Sequence, residues 1–241
     1  MAAIHGRSDC LQELAKVVDE WNCKSILGET PLYAALYIGH PESVRIIVSQ
    51  PGVDFSVKTN DGKTLTEAAV TSFRRDGKCV ECVKNLAEGE AVDWNVKMKN
   101  GDTPIMHCLK ENKKEMFNVL AECPRVDINI VDEDSNSPIM WCLKNGRLLD
   151  KHGVLLNSPR VDLSSAITWA AEKKDLVIMK ELRQALEYRL AEAKRRLKTS
   201  WRGRGGPGTG VLMMDEMAVI KLRSQLNLCR GFSEAQGGGI G

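Results

Sequence analysis

Two cysteines three positions apart, Cys79-Val80-Glu81-Cys82, have the spacing of half a zinc site or of a redox pair. Neither chemistry finds its other half: there is no second Cys-x-x-Cys, no cluster of histidines, and no strand-helix-strand context of a thioredoxin-like motif. Cys82 falls beside the apolar Val83 in a helical pattern and reads as packing. Cys79, near the helix start, is the thiol expected to react if either does, because a helix N-terminus stabilises thiolate. The four histidines, His5, His40, His107 and His152, are dispersed and imply no paired nucleophile. Gly205-Gly206-Pro207-Gly208-Thr209-Gly210 looks superficially like a phosphate-binding loop, but Val211-Leu212 stands where a lysine and a magnesium-binding hydroxyl are required. Arg202-Gly203-Arg204-Gly205-Gly206 lies next to Trp201 and follows Lys194-Arg195-Arg196 and Lys198. Such a basic patch with an aromatic can bind single-stranded nucleic acid through charge and stacking; a single copy reads first as a solvated flexible linker, with a nuclear-import patch as a further alternative. These patterns lead to no expected catalytic residue, no metal site and no cofactor.

The elements that carry these residues recur. Thr30, Thr64, Thr103 and Ser137 head similar segments 34, 39 and 34 residues apart, and a second marker, Val-Asp, returns at Val53-Asp54, Val92-Asp93, Val126-Asp127 and Val161-Asp162. Two markers keeping step define a repeat of about 33 residues. Gly28-Glu29-Thr30-Pro31-Leu32-Tyr33-Ala34-Ala35, then Ile38-Gly39-His40-Pro41-Glu42, then Asn60-Asp61-Gly62-Lys63-Thr64, make the chain similar to the ankyrin-repeat family over about residues 2–185. The resemblance implies an all-α solenoid of stacked helix-turn-helix repeats with hairpin-like fingers. Its repeats lie near 1–29, 30–63, 64–102, 103–136 and 137–165, with a partial last helix completing an array over 1–172.

Local chemistry agrees with that frame. Pro31 suits the first turn of a helix, where its missing N–H costs nothing, and Gly39 suits the left-handed residue that ends one. Residues 2–29 read as a shortened cap, with Asp9 capping its helix and Leu11, Leu14, Ala15 and Val18 at helical spacing. Val44, Ile47 and Val48, and later Phe117 and Leu120, form core faces. Departures are also visible. The family's first-helix histidine is replaced by Tyr33, Glu67, Met106, Met140 and Thr168. Leu65 stands where proline is expected, and an insertion at residues 72–77 lengthens that repeat as an exposed polar loop. His152 and Gly153 fall inside the second helix of the 137–165 repeat, which is expected to be the softest, since glycine there costs ~1 kcal/mol against alanine.

Beyond the array, Asp175 to Lys198 reads as a long amphipathic helix with Leu176, Met179, Leu182, Leu186 and Leu190 at spacings of three and four. The expected divisions are a basic helix over 173–200, a glycine-rich linker over 201–210, and a short isolated helix with a disordered end over 211–241. Charge divides similarly: residues 166–241 carry 14 Lys/Arg against 8 Asp/Glu, whereas residues 1–165 carry 20 against 24. No apolar run long enough to span a membrane and no secretory leader are evident. Eight scattered cysteines in a chain able to build a continuous core point away from a disulfide framework, so the expected location is cytoplasmic, with a nuclear one as the alternative.

Function then rests on the surface. The resemblance implies a non-catalytic interaction module, a scaffold or adaptor that binds a protein partner on its concave face and acts on no small-molecule substrate. The contacts expected are Tyr33 and Tyr37, Lys58 and Asn60, Trp94 with Lys97 and Lys99, Met106 and Lys110, and Asp132 with Glu133. Trp94 is the preferred anchor because aromatics dominate interaction hot spots; a tryptophan packed on the neighbouring finger is the competing reading. Basic fingers at Lys58, Lys63, Lys97 and Lys99 would grade into the acidic finger Asp132-Glu133-Asp134. Two alternatives stay open: nucleic-acid binding by the Gly/Arg tail, and service as the recognition subunit of an enzyme complex such as a ubiquitin ligase.

Overall fold

The structure is a computed structural model that describes residues 1–18, 20–72, 77–88, 92–146, 153–202 and 209–237, and within them it contains twelve α-helices and no strand. The chain divides into two compact units, Met1–Pro138 and Ile139–Gly241. None of the helices is long and apolar enough to cross a membrane among the described residues.

In the first unit, α1 (Ser8–Leu14), α3 (Pro41–Val48), α5 (Lys78–Glu88) and α7 (Lys114–Glu122) pack one on the next as a layer, while α2 (Pro31–Ile38), α4 (Leu65–Thr71) and α6 (Pro104–Lys110) form a second. The heads of the repeats explain the helix starts. The Thr30 and Thr64 hydroxyls accept the backbone N–H groups of Tyr33 and Glu67, so two otherwise orphaned donors are satisfied. The Thr103 and Ser137 hydroxyls are buried and do not repeat this bond. Two of the three first helices of this unit end where the chain reverses through a left-handed residue, Gly39 at φ 83° and Asn112 at φ 57°, whereas α4 ends on Ser72 at φ −46°. In the first repeat the expected cap is corrected. Asp9 lies inside the first turn of α1, Arg7 occupies the N-cap without a side-chain bond, and the segment before it is a run of turns.

The fingers are built identically. Ser25, Thr59, Met98 and Asp132 each donate a backbone N–H to the carbonyl four residues on, at Glu29, Lys63, Asp102 and Asn136. The residue before the closing one is left-handed, Gly28, Gly62, Gly101 and then Ser135 at φ 59°. At Gly28 and Gly101 glycine is also demanded by space, because a Cβ would run into Asn60 and Glu133 of the following finger.

The Val-Asp marker has a physical cause. Asp54, Asp93, Asp127 and Asp162 each accept the N–H of the residue two ahead, Ser56, Asn95, Asn129 and Ser164, which folds the chain into a compact turn. The residue between points inward in three of these four turns, Phe55 being only half-buried. Trp94, Ile128 and Leu163 are buried there, and Trp21 is buried at the matching place in the first repeat.

The second unit holds α8 (Pro138–Lys144), α9 (Gly153–Asn157), α10 (Ser164–Glu172), α11 (Leu176–Arg202) and α12 (Thr209–Gly237). Its centre is the pairing of α11 with α12, against which α10 packs. Two sequence expectations change. The short helix expected within 211–241 runs from Thr209 to Gly237, so the end expected to be disordered is helical as far as Gly237, and the helix is not isolated: Val219, Leu222, Leu226 and Cys229 recur every three or four residues and are buried. The inward stripe of α11 is Met179, Leu182, Ala185, Leu186 and Arg189, with Leu176 exposed and Leu190 only half-buried. A helix stripe drifts by 3.6 residues per turn, so a buried polar residue with good partners can take the next inward position. α9 spans five residues, the shortest helix described. The insertion at 73–76, His152 and the glycine-rich 203–208 lie outside the described residues, as do the side chains around Trp201.

Candidate partner-binding face

The candidate face belongs to the first unit and is formed by its fingers and by the first helix of each repeat. Its shape is fixed by bonds that cross from one repeat to the next. The Asn22 side-chain amide donates to the Gly52 carbonyl at 2.8 Å and its oxygen accepts the Asp54 N–H at 2.8 Å. Seventy-three positions later the same residue type does the same thing: Asn95 donates to the Arg125 carbonyl at 3.0 Å and accepts the Asp127 N–H at 2.7 Å. A primary amide is suited to this because it offers a donor and an acceptor at one position. Asn60 adds a further tie, donating its N–H to the Leu27 carbonyl and its side-chain amide to the Ile26 carbonyl.

Lys110 lies between two fingers. Its ammonium reaches Asp102 at 2.6 Å and Asp132 at 3.1 Å. Burial would lower the lysine pKa, but the two carboxylates more than offset it and hold the pKa above its ordinary value. Asp132 is pulled upward by burial and then brought below the usual carboxylate range by the Asn136 N–H and Lys110. Tyr33 and Tyr37 stack with ring centroids 6.2 Å apart. Burial first, and Glu29 second, push the Tyr33 hydroxyl up to about 12.

The expected contacts therefore separate. Lys58, Lys97, Lys99 and Glu133 are exposed, and Tyr37 is 38% exposed. Tyr33, Trp94, Met106 and Asp132 are not surface groups. Trp94 is 1% exposed and Met106 is fully buried, because the inward position of the Val-Asp turn and the third residue of the first helix both face the stack. Trp94 is thus a packing residue of its finger, and the preferred anchor is corrected. Asn60 and Lys110 spend their polar groups on neighbouring fingers. Cys79 is corrected in the same way: it is buried in α5 with Cys82, which removes it from the surface where a reactive thiol would be met. No group of three or more metal-ligating side chains occurs among the described residues.

One exposed apolar pair on this face is absent from the contacts expected from the sequence. Ile26 is 95% exposed at the tip of the first finger, with Leu27 exposed beside it. The signal was present, since Ser25-Ile26-Leu27-Gly28 places two large aliphatic residues where the later fingers carry Asn60-Asp61 and Glu133-Asp134. Hydrogen bonds from Asn60 hold this tip in place by its carbonyls, so its apolar side chains have nowhere inward to turn.

Comparison with known families agrees with the repeat frame. Residues 72–163 match a family model described as ankyrin repeats in three copies, and residues 1–48 match one described as ankyrin repeats in many copies; together they take in more than half of the chain. No curated protein matches it.

Proposed function

Since the chain belongs to the ankyrin-repeat proteins, which are generally protein–protein interaction modules and typically non-catalytic, we propose that it is an adaptor that binds an acidic segment of a protein partner across its finger tips. One observation carries this reading. Lys58 lies on one finger and Lys97 and Lys99 on the next, all three are exposed, and among the described residues no ion pair neutralises them. Lys110, by contrast, is neutralised by Asp102 and Asp132. Holding like charges on a braced backbone costs electrostatic energy that an acidic partner would recover, and complementary charge of this kind sets encounter rate and specificity. Ile26 and Tyr37 supply apolar area beside the lysines. The acidic tip Glu133-Asp134 would exclude partners that continue acidic past it, since like-charge juxtaposition is costly. The reading includes a cytoplasmic location, for which the thiols packed in the apolar core at Cys82, Cys108 and Cys142 are the support.

The test is capture from cell extract on the immobilised full chain, with and without nuclease, comparing the wild type with Lys97→Glu/Lys99→Glu and with Ile26→Asp. Salt-sensitive retention of a protein that survives nuclease and is lost with the charge reversal is the expected result. Retention unchanged by both variants, or abolished by nuclease, would overturn the assignment of this face.

A further inference from the structure

In the second unit a cavity of about 300 Å³ opens between the connection that follows α9, the middle of α11 and the middle of α12. Four cations border it: Arg160, Arg189, Arg196 and Lys221. Among the described lining residues one carboxylate, Glu192, borders it with them, and that carboxylate already faces Arg195 at 3.3 Å and Arg196 at 3.6 Å. Asp162 stands next to Lys221 at 3.2 Å, but the Gln225 amide and the Ser164 hydroxyl and N–H also converge on it. With Asp162 counted, the described residues around the cavity carry two more positive than negative charges.

Arg189 gives this surplus its weight. It is 3% exposed, and its guanidinium donates to the carbonyls of Leu156 at 2.6 Å, Leu155 at 2.7 Å and Val161 at 2.8 Å. These carbonyls supply no net charge, and a guanidinium has five N–H groups. The Asp162 carboxylate acts on it through space but makes no ion pair with it, and a buried, always-charged side chain beside a cavity is costly unless more negative charge is brought to it. Most of the remaining wall is apolar, from Pro159, Val161, Tyr188, Ala193, Ala218 and Leu222, with Asn157 and Gln225 as its uncharged polar members. Cavities of this size, mostly apolar with a few convergent charged groups, are of the kind that hold small organic ligands.

We propose that this cavity is a binding site for an amphiphilic organic anion, with its carboxylate or phosphate head among Arg160, Arg189, Arg196 and Lys221 and its apolar body against Val161, Ala193 and Leu222. The site lies in the second unit and does not depend on the finger face. Charge selects the ligand, and the apolar wall discriminates an organic anion from an inorganic one.

Calorimetric titration of the full chain with octanoate, octyl phosphate, inorganic phosphate and octan-1-ol tests it. Expected are saturable one-to-one binding of at least one of the two octyl anions, at least tenfold weaker binding of inorganic phosphate and of octan-1-ol, and at least a tenfold loss in Arg160→Gln/Arg196→Gln. Octanoate and octyl phosphate together decide which head the cations prefer. Ala193→Phe fills the apolar wall and keeps all four cations; it should abolish octyl-anion binding while the circular-dichroism spectrum and melting temperature stay within a few degrees of the wild type. Octan-1-ol binding as tightly as the anions, undiminished binding in the double variant, or no saturable binding of either anion would overturn the proposal.

Discussion

The two compact units solve one problem, how to satisfy the ends of short helices, by different means. In the first unit the solution is distributed and comes from the next repeat. The Lys113 ammonium reaches the Val70 carbonyl at the end of α4, and Arg125 reaches the Ala87 carbonyl near the end of α5 at 2.5 Å. Each cation meets the negative end of a helix one repeat earlier, where unpaired carbonyls and the macrodipole both favour it. In the second unit a single side chain replaces the series: Arg189, from a helix 30 residues away, binds three carbonyls around the end of α9. The Val-Asp turn shows the same contrast. Asp54 and Asp127 are braced through their backbone N–H by the asparagine of the preceding finger, whereas Asp162 is held through its side chain by Lys221 and Gln225 of α12. Repetition spreads stability over many weak, equivalent bonds, and a segment that leaves the repeat concentrates it in a few.

That contrast can be broken from either side. The largest loss is expected for Trp94→Ala, which removes the largest fully buried side chain of the first unit and should cost about 3–5 kcal/mol. Chemical denaturation measures it, and a cost under ~1 kcal/mol would return Trp94 to the role of a surface anchor. Arg189→Met comes next, at about 3 kcal/mol, because three carbonyls around α9 lose their donor at once. Arg189→Lys should recover less than half of that, since an ammonium cannot reproduce the planar fork. Asn95→Ala, which deletes one staple of the distributed kind, is expected to cost about 1–2 kcal/mol, and Asn22→Ala a similar amount. If either asparagine cost as much as Arg189, the distributed description would fail.

Acid sharpens the comparison for Asp162. Burial raises its pKa, but the Ser164 hydroxyl and N–H and the Lys221 ammonium more than offset it, and the carboxyl titrates at about 2. A carboxylate depressed in the folded state stabilises it fully above its unfolded value of about 4 and loses that contribution as pH falls through about 2. Melting temperatures between pH 5 and 2 should therefore fall more steeply for the wild type than for Asp162→Asn. The smallest effect is a gain. Ser135→Gly relieves a left-handed serine at the finger position that is glycine in three other repeats, and should raise stability by roughly 0.5–1 kcal/mol.

Much of the fold was legible because a repeat is a local pattern written several times. Thr30 and Thr64 cap, Pro31 starts a helix, Gly39 ends one, and Val-Asp turns the chain, each through bonds to residues no more than a few positions away. The candidate face was less legible. Lys58, Lys97 and Lys99 are exposed as expected, but Trp94 and Met106 are inside, since helix or finger periodicity in one repeat does not state which face its neighbour covers. Lys110 is a surface residue by type and a bridging one by position, because its carboxylate partners come from two fingers 30 residues apart.

The sequence by itself determined the repeat, its period, the helix boundaries set by caps and left-handed residues, and the family, because these depend on backbone chemistry within a few residues. Tertiary structure alone decided that Asn22 and Asn95 are staples, that α12 packs on α11, and that Arg189 lies buried between carbonyls beside a cation-lined cavity. The reason is physical. Burying a charged or polar side chain is favourable only when distant partners meet it in space, and a linear pattern does not record which distant partners those are.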